Sequence, residues 1–174
     1  MSGQVKFFIL KCFSLALIFG FLISCGSSPG TAGSGSTSPS QQPIDAQARQ
    51  DLYMRHIRNE GYAPSIDEDG DIAFRRGGLN YYVIINRRDP SFTIVLLPVI
   101  VELYSDSDRA RAASAVSYAN SRTKVAKAYL TGQNDQYVSI AVEIYLENPN
   151  DFEVLFNRFL GAIGSSKEDF ESRM

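Results

Sequence analysis

The last third of the chain changes hydrophobic period once, from two residues to 3.6, and this change constrains the fold more than any other feature. In "YVSIAVEIYL", Val138, Ile140, Val142, Ile144 and Leu146 alternate with Ser139, Ala141, Glu143 and Tyr145. Strict alternation predicts a strand with one apolar and one polar face. Asn150 or Asp151 then stands where a helix cap belongs. Phe152, Leu155, Phe156, Phe159, Leu160 and Ile163 follow at the spacing of a continuous helical stripe, and Gly164 is read as its stop. A one-faced strand followed by a one-faced helix calls for a sheet with helices layered on it. The closing "SSKEDFESRM" (165–174) reads as a polar tail with some helical content.

The rest of the chain extends this pattern. "DAQARQDLYMRHIRNEG" reads as a helix with Ala48, Leu52, Tyr53 and Ile57 inward and Gly61 as its stop. Four short strands are expected at 65–68, 71–75, 79–86 and 91–101, separated by Asp69-Gly70, Gly77-Gly78 and Asp89-Pro90. "SDSDRARAASAVSYANSR" predicts a second helix, capped by Asp106 or Ser107, with a small face of Ala112, Ala113, Val116 and Ala119. Small residues allow close packing, so this face is also a candidate for homodimerisation. Strands at 124–130 and 137–146 complete the set. The fold class is therefore α+β, an antiparallel sheet of about five to six strands with helices packed on it. The element order is α-β-β-β-β-α-β-β-α. One domain is expected over 44–164, a length of about 120 residues that supports a single core.

The N-terminus carries a different kind of information. Lys6 and Lys11 accompany the apolar run "FFILKCFSLALIFGFLIS", the layout of a secretory signal peptide over 1–24. It ends in Leu22-Ile23-Ser24-Cys25-Gly26, which resembles the bacterial lipobox. That resemblance implies cleavage before Cys25 and acylation of its sulfur. Two or more acyl chains hold a protein stably on a bilayer where one does not. Residues 25–43 then form the lipidated cysteine and a Ser/Gly/Pro linker too poor in apolar residues to fold. Its reach is roughly 20–25 Å. The expected location is the cell envelope. Gly26 in place of Asp favours the periplasmic face of the outer membrane in a two-membrane bacterium, or the outer surface in a one-membrane bacterium.

Chemistry is sparse. Beyond the leader the balance is 15 basic to 19 acidic side chains, which disfavours a nucleic-acid partner. With Cys12 in the leader and Cys25 acylated, no thiol remains for a disulfide or a metal. His56 is the only histidine and lacks a triad partner, so it reads as an exposed or half-buried helix residue. "DEDGD" (67–71) places Gly70 at the sixth position of a calcium loop, but Arg76 then occupies the twelfth, where a bidentate glutamate is needed. A hairpin tip explains the stretch better, with weak adventitious calcium binding left open. No catalytic residue, cofactor or metal is expected. One row suits a partner: Lys127, Tyr129, Tyr137, Glu143 and Tyr145 lie opposite the aliphatic faces of the last two strands, and Tyr81 or Tyr82 extends it. Aromatic groups with polar tips are enriched where proteins meet.

"GDIAFRRGGLNYYVIIN", "AASAVSYANSRTKVAKAY" and "YVSIAVEIYL" before a Phe-rich helix together resemble the YbjN domain family, over about residues 48–163. Asn120, Ala126–Tyr129 and Glu143 carry the likeness. The resemblance implies the fold of class I type III secretion chaperones and a protein-interaction module rather than an enzyme. The lipid anchor departs from a cytoplasmic regulator. The expected function is thus a membrane-tethered chaperone- or adaptor-like protein. The alternative is a small-ligand or lipid carrier, with a pocket between the sheet and the Phe-rich helix.

Overall fold

The structure is a computed structural model that describes residues 45–174. Cys25, the leader and the linker lie outside the described residues. Helix α1 (Ala46–Asn59) leads into β1 (Ser65–Ile66), β2 (Ile72–Arg76), β3 (Leu79–Ile85) and β4 (Phe92–Glu102). Helix α2 (Asp106–Arg122) crosses to β5 (Ala126–Thr131), and a short 3-10 turn precedes β6 (Tyr137–Tyr145) and helix α3 (Asp151–Glu171). The six strands form one sheet in the order β1-β2-β3-β4-β6-β5, antiparallel throughout. The α+β class and the element order expected from the sequence are those observed.

The sheet register builds the core. Ile72, Val83, Val95, Val142 and Ala126 are aligned across five strands, and each is at most 1% exposed. Tyr53 and Ile57 of α1, Ala112, Ala115 and Ala119 of α2, and Phe152, Phe156, Leu160 and Ile163 of α3 cover that face. Between sheet and α3 the space is filled. Tyr53 and Phe152 stack at 3.8 Å, and Phe156 lies 5.3 Å from Phe152 and 5.6 Å from Phe74. The pocket expected in the carrier reading is occupied by these rings.

Several local expectations are corrected. Helix α3 does not stop at Gly164 but runs to Glu171, burying Ser166 and Phe170. The segment 165–171 lies along α2, with Arg173 over the Tyr118 ring at 4.1 Å and Arg122 3.9 Å from Asp169. The alanine face of α2 is Ala112, Ala115 and Ala119, with Ala113 exposed, and it is covered within the chain, so it is not available for a dimer. The cap of α2 is Ser105, not Asp106 or Ser107; it forms a reciprocal capping box with Asp108. In α1 the buried face turns toward Arg49, Tyr53, His56 and Ile57, leaving Ala48 exposed.

Buried polar groups account for that rotation. Arg49 is 3% exposed; its guanidinium donates to the carbonyls of Leu146 and Glu147 and to Tyr53 Oη, pinning α1 to the end of β6. His56, 6% exposed, is buried and not a surface residue. It lies edge-on to Phe152 and Phe156, with Glu60 at 3.8 Å and Glu153 at 4.0 Å.

The acidic stretch is a turn. Asp67 Oδ1 accepts from the backbone amides of Asp69 and Asp71, at 3.0 and 2.9 Å. Gly70 adopts φ +86°, a conformation glycine reaches without the Cβ penalty. Gln50 of α1 donates to the Gly70 carbonyl and Arg87 to that of Asp69.

Candidate functional site

All three helices lie on one face of the sheet, and the opposite face carries the candidate site. One register row on that side runs Ala73, Tyr82, Leu96, Ala141, Lys127. A second runs Ile84, Ile94, Glu143, and a third pairs Phe92 with Tyr145. Tyr82, Ile84, Phe92, Ile94 and Leu96 are half-buried by one another and lie outside the helix-packed core. An apolar sheet face without a covering layer is the surface most suited to a partner.

The five residues proposed from the sequence fall on this face, because strand parity and the β5–β6 register put them there. Their roles differ. Tyr145 is 64% exposed, with its ring 5.0 Å from that of Phe92 at one end of the face. Tyr129 is half-buried opposite Ser139, and burial together with the Glu143 charge pushes its pKa up to about 12. It is therefore a neutral phenol at neutral pH. Glu143 is an exposed carboxylate beside Ile94. Tyr137 sits at the far end, between Glu102 and Thr131 in register. Lys127 is engaged elsewhere: its ammonium donates to the Thr123 carbonyl at 3.0 Å and reaches that of Asn120 at 3.5 Å, closing the C-terminus of α2. That contact is structural, and it favours a cation by the helix dipole.

Ser139 and Ala141 belong to the same face yet are 3% and 2% exposed, not outward as alternation predicts. Ala141 is a small side chain flanked in register by Leu96 and Lys127, whereas Ser139 is covered by an irregularity in β4. Leu97 pairs with Ile140 and Val101 with Val138, so three residues of β4 stand against Ser139 alone. Val99 takes φ 42° in this bulge, and its amide approaches Ser139 Oγ at 3.4 Å while Thr131 Oγ1 lies at 3.1 Å. The bulge thus covers Ser139 at one end of the open face.

Ile84, Phe92, Ile94 and Leu96 were not recognisable as site residues from sequence. β3 and β4 read as near-continuous apolar runs, and such runs do not reveal which side a helix covers. Tyr82 rather than Tyr81 extends the aromatic row, since Tyr81 is in the core at 4% exposure. Elsewhere, Arg122, Lys124, Val125 and Asp169 line a shallow open depression of about 500 Å³ where α2 ends.

No curated protein sequence matches the chain. Among solved structures, the crystal structure of YbjN from E. coli, described as a candidate transcription regulator, is similar at 13% identity with a TM-score of 0.54. The match covers 71% of this chain and 91% of that one, a likeness that shows the fold. A family model described as "T3SS (YopN, CesT) and YbjN peptide-binding chaperone 1" matches residues 54–173, and the chain belongs to that family.

Proposed function

We propose that this protein holds an extended segment of a protein partner against the open face of its sheet, acting as a chaperone or adaptor without catalysing a reaction. The observation that carries the reading is the row Tyr82–Leu96 with Ile84–Ile94 beside it, an apolar surface left bare by all three helices. The family description, a peptide-binding chaperone, supports a protein as the occupant. Tyr129, Glu143 and Tyr145 supply polar tips around the apolar centre, the composition expected of a recognition surface. Acylation of Cys25 would tether the domain at the cell envelope and raise its effective concentration near membrane-bound partners, to the millimolar range for a short linker.

The test is recovery of partners from solubilised membranes with the wild-type chain and with two variants. Ile94→Lys plus Leu96→Lys places charge at the centre of the face; Tyr129→Ala plus Tyr145→Ala removes its aromatic rim. Loss of the same partner with both, in chains that keep wild-type circular dichroism, is the expected outcome. Undiminished recovery with both variants rules out the open face.

A further inference from the structure

The outer edge of β5 is the end of the sheet, and its backbone is occupied by a side chain. In an antiparallel ladder alternate residues of a strand turn their N–H and C=O to either side. Asn120 of α2 reaches across and meets both groups of Ala128 at once: Nδ2 donates to the Ala128 carbonyl at 2.9 Å, and the Ala128 amide donates to Oδ1 at 2.8 Å. One carboxamide therefore stands in for the two hydrogen bonds a neighbouring strand would make. Lys127 adds a second tie to the last turn of α2 through Thr123 and Asn120.

We propose that Asn120 is an edge latch, and that what it excludes is β5 of a second copy of this chain, paired antiparallel about Ala128. The geometry is self-complementary. In a hydrogen-bonded antiparallel pair the two residues directly opposite exchange both N–H···O=C bonds, so Ala128 facing Ala128 would use the pair of groups that Asn120 holds. The neighbours then match as well. Lys127 faces Tyr129 of the other copy, a cation beside an aromatic ring rather than a like charge. Ala126 faces Leu130 on the core side. Pairing requires Asn120 and the last turn of α2 to move aside. The contacts that tie that turn to the β5 edge are the Asn120 carboxamide and the Lys127 ammonium, while Ala119 in the core and Arg122 beside Asp169 hold it to the rest of the domain. Natural sheets protect their edges in several ways, and a side-chain amide borrowed from a covering helix is one that a single substitution removes.

Asn120→Ala tests the latch in the full chain in mild detergent, by sedimentation velocity across a concentration series and by hydrogen exchange of the β5 amides. At low concentration the Ala128 amide should exchange about five- to tenfold faster than in wild type, as expected for one lost hydrogen bond. As concentration rises the variant should associate beyond the wild-type size and Ala128 should regain protection. A variant that keeps the wild-type size at every concentration overturns the proposal. So does association that leaves Ala128 unprotected, because another surface is then responsible. Should Asn120→Ala lose its fold, Asn120→Asp decides by the same readings. It keeps the acceptor for the Ala128 amide but sets a carboxylate against the carbonyl.

Discussion

Asp71 lies half-buried in its turn beside Asp67 and Asp69, and burial, followed by those two charges, raises its pKa from 3.8 to about 6 against the opposing pull of Arg87. A carboxyl with a raised folded-state pKa binds its proton more tightly folded than unfolded. Its contribution to stability is full below the unfolded value and lost as pH rises through about 6. Asp71→Asn should therefore raise the urea midpoint at pH 8 and leave it nearly unchanged at pH 4. The gain should be about 1 kcal/mol, because half the group faces solvent and screening discounts the full shift. Arg49 makes the opposite case. It is buried and bonded to carbonyls at the end of β6, so Arg49→Met should cost about 2–3 kcal/mol in denaturant unfolding by leaving those acceptors unpaired. Neither environment was legible in sequence: an arginine in a helix is ordinarily solvated, and only the β6–α3 corner surrounds this one with carbonyls. Val99 is similar. A β-branched residue at φ 42° is strained, so Val99→Gly should be close to neutral, whereas Val101→Gly should cost at least about 1–2 kcal/mol because Val101 loses packing against the core without relieving strain.

At the scale of elements, the α3 extension separates two accounts of the C-terminus. Phe170 is 1% exposed and held within the core beyond Gly164. Phe170→Ala should cost about 3–5 kcal/mol and lower the thermal midpoint, the usual penalty for emptying a buried aromatic site. A solvated tail would show no change. The glycine signal misled because Gly164 is only half-buried, with no neighbour near its missing Cβ, and remains helical. A mid-helix glycine weakens a helix by about 1 kcal/mol relative to alanine but does not end one that packs on both sides of it. The strands were easier to read. Turns at Asp69-Gly70 and Gly77-Gly78 fall where φ is positive, and the alternation of β6 identified its core side correctly. It failed only at Ser139 and Ala141, where the β4 bulge and same-face neighbours cover positions that alternation assigns to solvent.

For the whole molecule, one feature lies outside the described residues and remains testable. If Cys25 is acylated, Cys25→Ser should move the protein from the membrane fraction to the soluble fraction or block its processing. A cleaved product that stays on the membrane contradicts the anchor. Among the described residues no helix is long and apolar enough to cross a membrane. The sequence by itself determined the element order, the α+β class, the family resemblance and a core drawn from β6 and the Phe-rich stripe. These follow from local periodicity and turn chemistry, which act within a few residues. Only the tertiary structure decided which face of the sheet stays bare, which cation is buried, that Lys127 closes a helix, and that Asn120 closes the β5 edge. Each depends on groups brought together from distant parts of the chain, and in β3 and β4, apolar on both sides, no local pattern could say which side the helices would take.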